Sequence, residues 1–238
     1  SEMKDVAEEM RGNFSGIGVQ FAMQNDTIVI VDVISGGPSN KLGILAGDRI
    51  IKVNQAIVSG IGLKSDSIVS LLRGKKGTMV DVSIHRPGFN DLLEFKIQRG
   101  EIPLFSVDVS YIIKDNIGLV KVNRFAETTP KEFTDAINDL SSKGATKLIV
   151  DLRGNSGGYL EAVFKMVDEF LSADKMIVYT EGKARARYEY RSTDNGIWKE
   201  KDLIVLIDEF SASASEIFAG AIQDNDRGLI VGRRSFGK

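Results

Sequence analysis

The sequence predicts two units meeting near residue 100, a β-rich one first and an α/β one after it. Three observations carry that expectation. β-Branched runs broken by glycine-containing turns fill Phe14 to about Arg99. From Glu101 onward, strands alternate with amphipathic helices, the pattern of crossover units on a largely buried sheet. The length of 238 residues also exceeds the roughly 100–200 of one ordinary domain.

Residues 1–13 form an expected tail or short helix, since Ser1 to Gly12 is charged. Thr27–Val33, Asp48–Asn54 and Thr78–Ile84 read as strands of the 14–100 unit. Ser65–Leu72 carries Ile68, Leu71 and Leu72 at helical spacing. In the 101–238 unit, Ile117–Val122 is a strand. Thr129-Pro130-Lys131-Glu132 then opens a helix with capping-box spacing and proline at its first position. Lys147–Leu152 is the next strand, followed by a glycine-rich turn and a helix with Leu160, Val163, Phe164, Val167, Phe170 and Leu171 on one stripe. Met176–Thr180, Asp202–Asp208 and Leu229–Val231 are further strands, and Ser213–Ile222 a further helix. Between them, residues 181–201 read as an exposed hairpin turning at Thr193–Gly196, its Lys183, Arg185, Arg187 and Arg191 solvating one face.

Composition removes several kinds of chemistry. A chain 42% hydrophobic and 27% charged is an ordinary folded one. Thirty-one basic against 33 acidic residues give no electrostatic basis for binding nucleic acid. With no cysteine, thiolate catalysis and thiolate metal sites are excluded. His85 is the sole histidine, so a multi-histidine zinc site is excluded too, and neither metal nor cofactor is expected. No apolar run reaches the roughly 20 residues of a membrane span, and the first residues do not read as a signal peptide.

The strongest chemical constellation is Asp208-Glu-Phe-Ser-Ala-Ser-Ala-Ser-Glu-Ile-Phe218, a strand turning into a helix. A serine at such a turn points out of the sheet, towards unpaired N–H groups and a positive dipole. Ser213 and Glu216 also have the spacing of an N-cap pair, and on this feature alone capping is the better reading. Asp151-Leu-Arg-Gly-Asn-Ser-Gly-Gly158 is a second strand-to-helix turn, whose glycines can aim N–H groups at an oxyanion. It matches no phosphate-loop or dinucleotide fingerprint. A nucleophilic serine needs a base, and His85 reads as an ordinary strand residue. Lys238, after the last strand, is the remaining candidate beside the plainer reading of an exposed lysine. A lysine base near neutrality must sit about 3 pH units below its ordinary pKa of about 10.4, at roughly 4 kcal/mol.

Taken together, these residues resemble the carboxyl-terminal processing (tail-specific) serine proteases, over almost the whole chain from about residue 14. Asp151–Gly158 looks like the family's glycine motif, Ser211-Ala-Ser-Ala-Ser-Glu216 like its nucleophile motif and Ser235-Phe-Gly-Lys238 like its lysine motif. The resemblance implies Ser213 as nucleophile, Lys238 as base and Asp224 as a supporting acid. It also implies Glu216 and Ser235 as residues holding the site, and oxyanion donors near Gly157, Gly158 and Ala214. The implied fold is an α/β crotonase-like protease core. That family's core continues past the lysine, so the core is expected to be incomplete at Lys238.

The first unit resembles a PDZ domain. Gly16-Ile-Gly-Val19 looks like the loop that captures a terminal carboxylate, and Gly43–Asn54 is its other recognisable stretch. Gly16, Ile17, Gly18, Val19 and Ile68 are the expected peptide-binding residues. The implied activity is a serine endopeptidase acting near apolar C-terminal tails of proteins or peptides, exported to the periplasm or cell envelope. The alternative is a PDZ-based peptide-binding scaffold on an inactive protease-like core. The sequence is silent on oligomeric state.

Overall fold

The computed structural model describes residue 8 and residues 10–183 and 185–238. The expected N-terminal helix over Ser1–Gly12 therefore lies mostly outside the described residues. The chain divides into two compact units, one over Asn13–Leu104 and one containing Phe105–Lys238. Each is described by itself.

In the Asn13–Leu104 unit, alternating apolar residues build a sheet closed over one core. Its strands are β1 (Asn13–Gly16), β2 (Val19–Gln24), β3 (Thr27–Val33), β4 (Arg49–Val53), β5 (Ala56–Ile57), β6 (Met79–His85), β7 (Leu93–Gln98) and β8 (Gly100–Pro103). The main sheet has the order β2-β3-β4-β6-β7, and β1 pairs with β8 as a separate ribbon. Isoleucine and valine from these strands meet Ile68 and Leu72 of the helix Ser65–Leu72. Ile68 is fully buried in that core, which corrects its placement in the peptide groove. Ile68 and Leu72 are one helical turn apart and share the core face, so the next position, Val69, is the one rotated towards β2.

In the Phe105–Lys238 unit, β9 (Val109–Lys114), β10 (Ile117–Lys121), β11 (Lys147–Asp151), β14 (Asp202–Ile207) and β15 (Leu229–Gly232) form one sheet of order β15-β14-β11-β10-β9. All neighbours are parallel except β9, which is antiparallel to β10. The helices Thr129–Ser142, Leu160–Asp168 and Ala214–Asp224 cover one face. Their Phe133, Val163, Val167 and Phe218 share a core with Val120, Leu148, Val150, Leu203 and Val205 of the sheet. Phe133, Phe170 and Phe218 meet edge to face along it.

The opposite face carries a register row of apolar side chains across all five strands: Tyr111, Leu119, Ile149, Ile204 and Leu229. Tyr111 and Leu229 are exposed, and the three between them are half-buried.

Two local expectations change. Glu132 does not close a capping box; its carboxylate accepts the N–H groups of Ser106 and Val107 at 2.6 and 3.0 Å. Two orphan N–H groups of the loop before β9 outcompete the helix end. The hairpin is also different. Tyr188–Arg191 belongs to β13 (Arg185–Arg191), which pairs with β12 (Met176–Gly182). The Thr193–Gly196 turn leads instead back onto the helix end, and Trp198 is fully buried. Asp168 accepts both the N–H and the hydroxyl of Thr193, and the main-chain N–H of Trp198 donates to the Glu169 carbonyl at 2.9 Å. An indole is too large an apolar surface to leave in water when a core lies one turn away. Arg187 and Arg191 do stay at the surface, paired with Glu189.

Candidate active site

The glycine-rich turn and the serine turn both leave the C-terminal ends of parallel strands, where ligands gather in such sheets. A cleft of about 610 Å³ opens at the other end, beside Lys147 and Asp202, and contains none of the candidate residues.

Side chains that the sequence reading did not single out stitch the two turns together. Asn155 is fully buried. Its Nδ2 donates to the Val122 carbonyl at 2.9 Å and its Oδ1 accepts the Gly157 N–H at 2.9 Å. Its carbonyl accepts the Ala212 N–H and the Ser215 hydroxyl from the serine turn. Ser211 Oγ donates to the Leu152 carbonyl at 2.9 Å, and Asp208 accepts the Gly154 N–H at 2.9 Å. Burial works against the Asp208 charge, but N–H groups from Gly154 and Phe210 outweigh it and hold its pKa below the usual range. The signal was present in the alternation Ser211-Ala-Ser-Ala-Ser215: Ser211 and Ser215 tie down the turn on either side of Ser213.

Ser213 sits at φ 54°, ψ −112°. An N-cap residue ordinarily has extended backbone, so capping alone does not account for this one. A non-glycine residue held there stores roughly 1–3 kcal/mol of strain. The turn packs tightly on the glycines. A Cβ on Gly157 would lie 2.9 Å from Ser213 Cβ and 3.1 Å from Ala214 N. One on Gly158 would lie 2.2 Å from the Phe125 carbonyl oxygen.

These contacts sort the expected oxyanion donors. The Gly157 N–H is occupied by Asn155 Oδ1, and what Gly157 shows is close packing on the serine turn. The N–H groups of Gly158 and Ala214 have no acceptor among the described residues. Ala214 is the first residue of its helix, at the positive end of the dipole.

Glu216 joins three of the candidates. Its Oε2 accepts the N–H of Ser213 at 2.8 Å and of Lys238 at 3.0 Å. Its Oε1 accepts the Ser235 hydroxyl at 2.8 Å and the Gly237 N–H at 2.7 Å. Partial burial raises its pKa, but these four donors outweigh that and leave it below the usual carboxylate range. Lys238 is thereby brought to the serine turn through its main chain, with an exposed side chain. The Phe236 N–H donates to the Ser211 carbonyl at 3.0 Å and fixes the same segment.

Asp224 does not join this cluster. It is exposed at the last position of the helix that begins after Ser213, about 16 Å along the axis. Eleven residues of helix carry it to the far end, which corrects its place as a supporting acid.

In the Asn13–Leu104 unit, a cleft of about 110 Å³ is lined by Phe14, Gly16, Ile17, Gly18, Val19, Phe21, Val69, Leu72 and Arg73. It contains Gly16, Ile17, Gly18 and Val19, while Ile68 gives way to Val69. The Ile17 and Gly18 N–H groups have no acceptor among the described residues. Arg73 lies at the cleft with its guanidinium 4.4 Å from the Phe14 ring centroid. No group of three or more metal-ligating side chains gathers among the described residues, and no helix there is long and apolar enough to cross a membrane.

The sequence profile of peptidase family S41 matches residues 116–238, and that of the PDZ domain matches residues 15–98. The chain is 37% identical, over its whole length, to the carboxy-terminal processing protease CtpA of Bacillus subtilis (strain 168), of which it covers 50%. It is 38% identical over 99% of its length to a carboxy-terminal-processing protease of Bartonella bacilliformis, covering 54% of that protein. The chain thus spans about half the length of the curated relatives it matches. Among solved structures, a photosystem II D1 C-terminal processing protease superposes with a TM-score of 0.52 at 28% identity, over 95% of this chain and 62% of that one. The tricorn protease shares the fold, with a TM-score of 0.53 at 19% identity over 94% of this chain and 22% of that one. With a PDZ domain ahead of its α/β unit and its serine turn inside the matched region, the chain belongs to peptidase family S41.

Proposed function

We propose that this chain carries the tail-binding and nucleophile-bearing parts of a carboxyl-terminal processing endopeptidase with a crotonase-like core. The observation that carries this reading is Glu216. A single carboxylate holds the N–H of Ser213, in strained backbone, and the N–H of Lys238. A simple helix cap needs only the first.

In this mechanism Lys238 acts as the base and takes the proton from Ser213 Oγ as the oxygen attacks the scissile carbonyl. The N–H groups of Gly158 and Ala214 receive the negative charge that develops on the carbonyl oxygen. The protonated lysine then gives its proton to the departing amine, leaving an ester on Ser213. Water hydrolyses that ester, with Lys238 accepting the water's proton and returning it to Ser213 Oγ as the serine leaves. The PDZ cleft takes the substrate's free C-terminus on the Ile17 and Gly18 N–H groups and its apolar side chain against Val19, Val69 and Leu72. Family membership supports an exported enzyme of the cell envelope or periplasm.

The test uses one unstructured substrate ending in apolar residues, with a free or amidated terminus, together with a serine-directed phosphonate. The expected result is labelling of Ser213, preference for the free terminus, and loss of cleavage in both Ser213→Ala and Lys238→Ala with the fold kept. Retained turnover in either variant overturns the dyad. Binding of the free tail without labelling or cleavage would make the chain a scaffold.

A further inference from the structure

Among the described residues, Arg99 is a buried cation with no carboxylate to match it. The residue is 9% exposed, and every hydrogen bond of its guanidinium goes to a neutral acceptor. Nε donates to the Leu72 carbonyl at 3.0 Å and Nη2 to the Leu71 carbonyl at 2.8 Å. Nη1 donates to Thr78 Oγ1 at 3.1 Å and to the Met79 carbonyl at 3.0 Å. Burial accordingly lowers its pKa from the usual arginine value. A charge in this position needs compensation, and the geometry names the source. Leu71 and Leu72 are the last two residues of the helix Ser65–Leu72, whose carbonyl end is the negative pole of its dipole.

That helix is one wall of the tail cleft, contributing Val69 and Leu72 with Arg73 just beyond its end. Arg99 ties its end to the start of β6. The main chain secures the β6 side of that tie: Arg99 N–H donates to the Thr78 carbonyl, and Gly77 N–H to the Arg99 carbonyl, each at 2.8 Å. The next residue, Gly100, opens β8, and β8 pairs with β1, which runs directly into the Gly16–Val19 loop. One side chain therefore stands at the junction of the helix wall and the strand that delivers the carboxylate loop. Gly74 lies against the guanidinium so closely that a Cβ there would be 2.8 Å from Nε and 2.9 Å from Cδ.

We infer that Arg99 is a positioning residue for tail recognition, fixing the spacing between the helix Ser65–Leu72 and strand β2. This rests on the reading of the cleft as a receptor for C-terminal tails. A planar fork reaches four acceptors on two elements; an ammonium at the end of a lysine does not reproduce that span.

The test measures binding of a fluorescent peptide ending in apolar residues, free or amidated, to wild type, Arg99→Lys and Gly74→Ala, each well below its unfolding temperature. Arg99→Lys keeps the charge, yet is expected to lose about tenfold in affinity for the free terminus. Gly74→Ala, which pushes on the guanidinium without removing it, is expected to lose a smaller factor in the same direction. Cleavage of a tailed substrate slows through KM, with kcat held, where general destabilisation would lower the active fraction and kcat. If Arg99→Lys does not fold, Gly74→Ala decides. Variants that fold and bind as wild type does overturn the inference alone. A wild type that ignores the free terminus overturns tail capture, and Arg99's role with it.

Discussion

The two strand-to-helix turns reach unusual backbone geometry by opposite means. Gly154, Gly157 and Gly158 take positive φ values of 76°, 107° and 150° in the first turn, where no Cβ resists. In the second turn Ser213 takes φ 54° with a side chain in place. The first turn is free to bend and is pinned afterwards by Asn155. The second is held against its preference by Glu216 and by the bonds of Ser211, Ala212 and Ser215 to the first. A glycine supplies conformation, whereas a serine proposed as nucleophile must keep its side chain and have its conformation imposed.

Gly158→Ala should produce the largest effect. The new methyl would fall 2.2 Å from the Phe125 carbonyl oxygen, so the turn must shift and its N–H with it. If that N–H is an oxyanion donor, kcat drops on the order of 10²–10³-fold; near-normal turnover would show that the glycine turn is looser than its contacts. Glu216→Gln tests the imposed turn. The amide keeps one acceptor oxygen and turns an NH2 towards two of the four donors, destabilising the fold by about 1–3 kcal/mol.

The same variant carries a pH signature. The folded-state pKa of Glu216 lies below its ordinary value, so its contribution is complete above about 4.3 and fades as pH falls through the folded value. Thermal melts from neutrality into acid should show that limb in wild type and a shallower one in Glu216→Gln; parallel curves would remove Glu216 as its source. The smallest difference should separate two variants that both lack the hydroxyl: Ser213→Gly is expected to be about 1 kcal/mol more stable than Ser213→Ala, since only glycine relieves the φ. Equal melting temperatures for the two would mean that the serine backbone carries no strain.

The existence of the elements was legible because periodicity reports which face is buried. The strands beginning near Thr27, Asp48, Thr78, Ile117, Lys147, Met176, Asp202 and Leu229 and the helices beginning near Ser65, Thr129, Leu160 and Ala214 follow from it, whereas β7, β8 and β9 were not singled out. Facing within an element was less legible. Ile68 and Val69 are adjacent apolar residues, and only the position of β2 decides which lines the cleft. The turn at Thr193–Gly196 has the composition of a hairpin, but Trp198 overrides it by reaching the core. In the site, the glycines and the serine run identified both turns. That the Gly157 N–H is occupied was hidden, since it depends on where the side chain of Asn155 points. Asp224 stands near Ser213 in sequence and far from it in space, a distance that only the straightness of a helix creates.

The bare row from Tyr111 to Leu229 has a consequence for handling. Five strands at about 4.8 Å spacing make a stripe roughly 19 Å across, continued by exposed Val109 and Val231 at its corners. With a net charge of only −2, long-range repulsion does little to keep copies apart. Colloidal behaviour of this stretch of chain is then governed by wetting of one sheet face: environment-sensitive dyes should light up on it, salting-out ions should lower its solubility steeply, and a single charge placed at Ile149 or Ile204 should restore it.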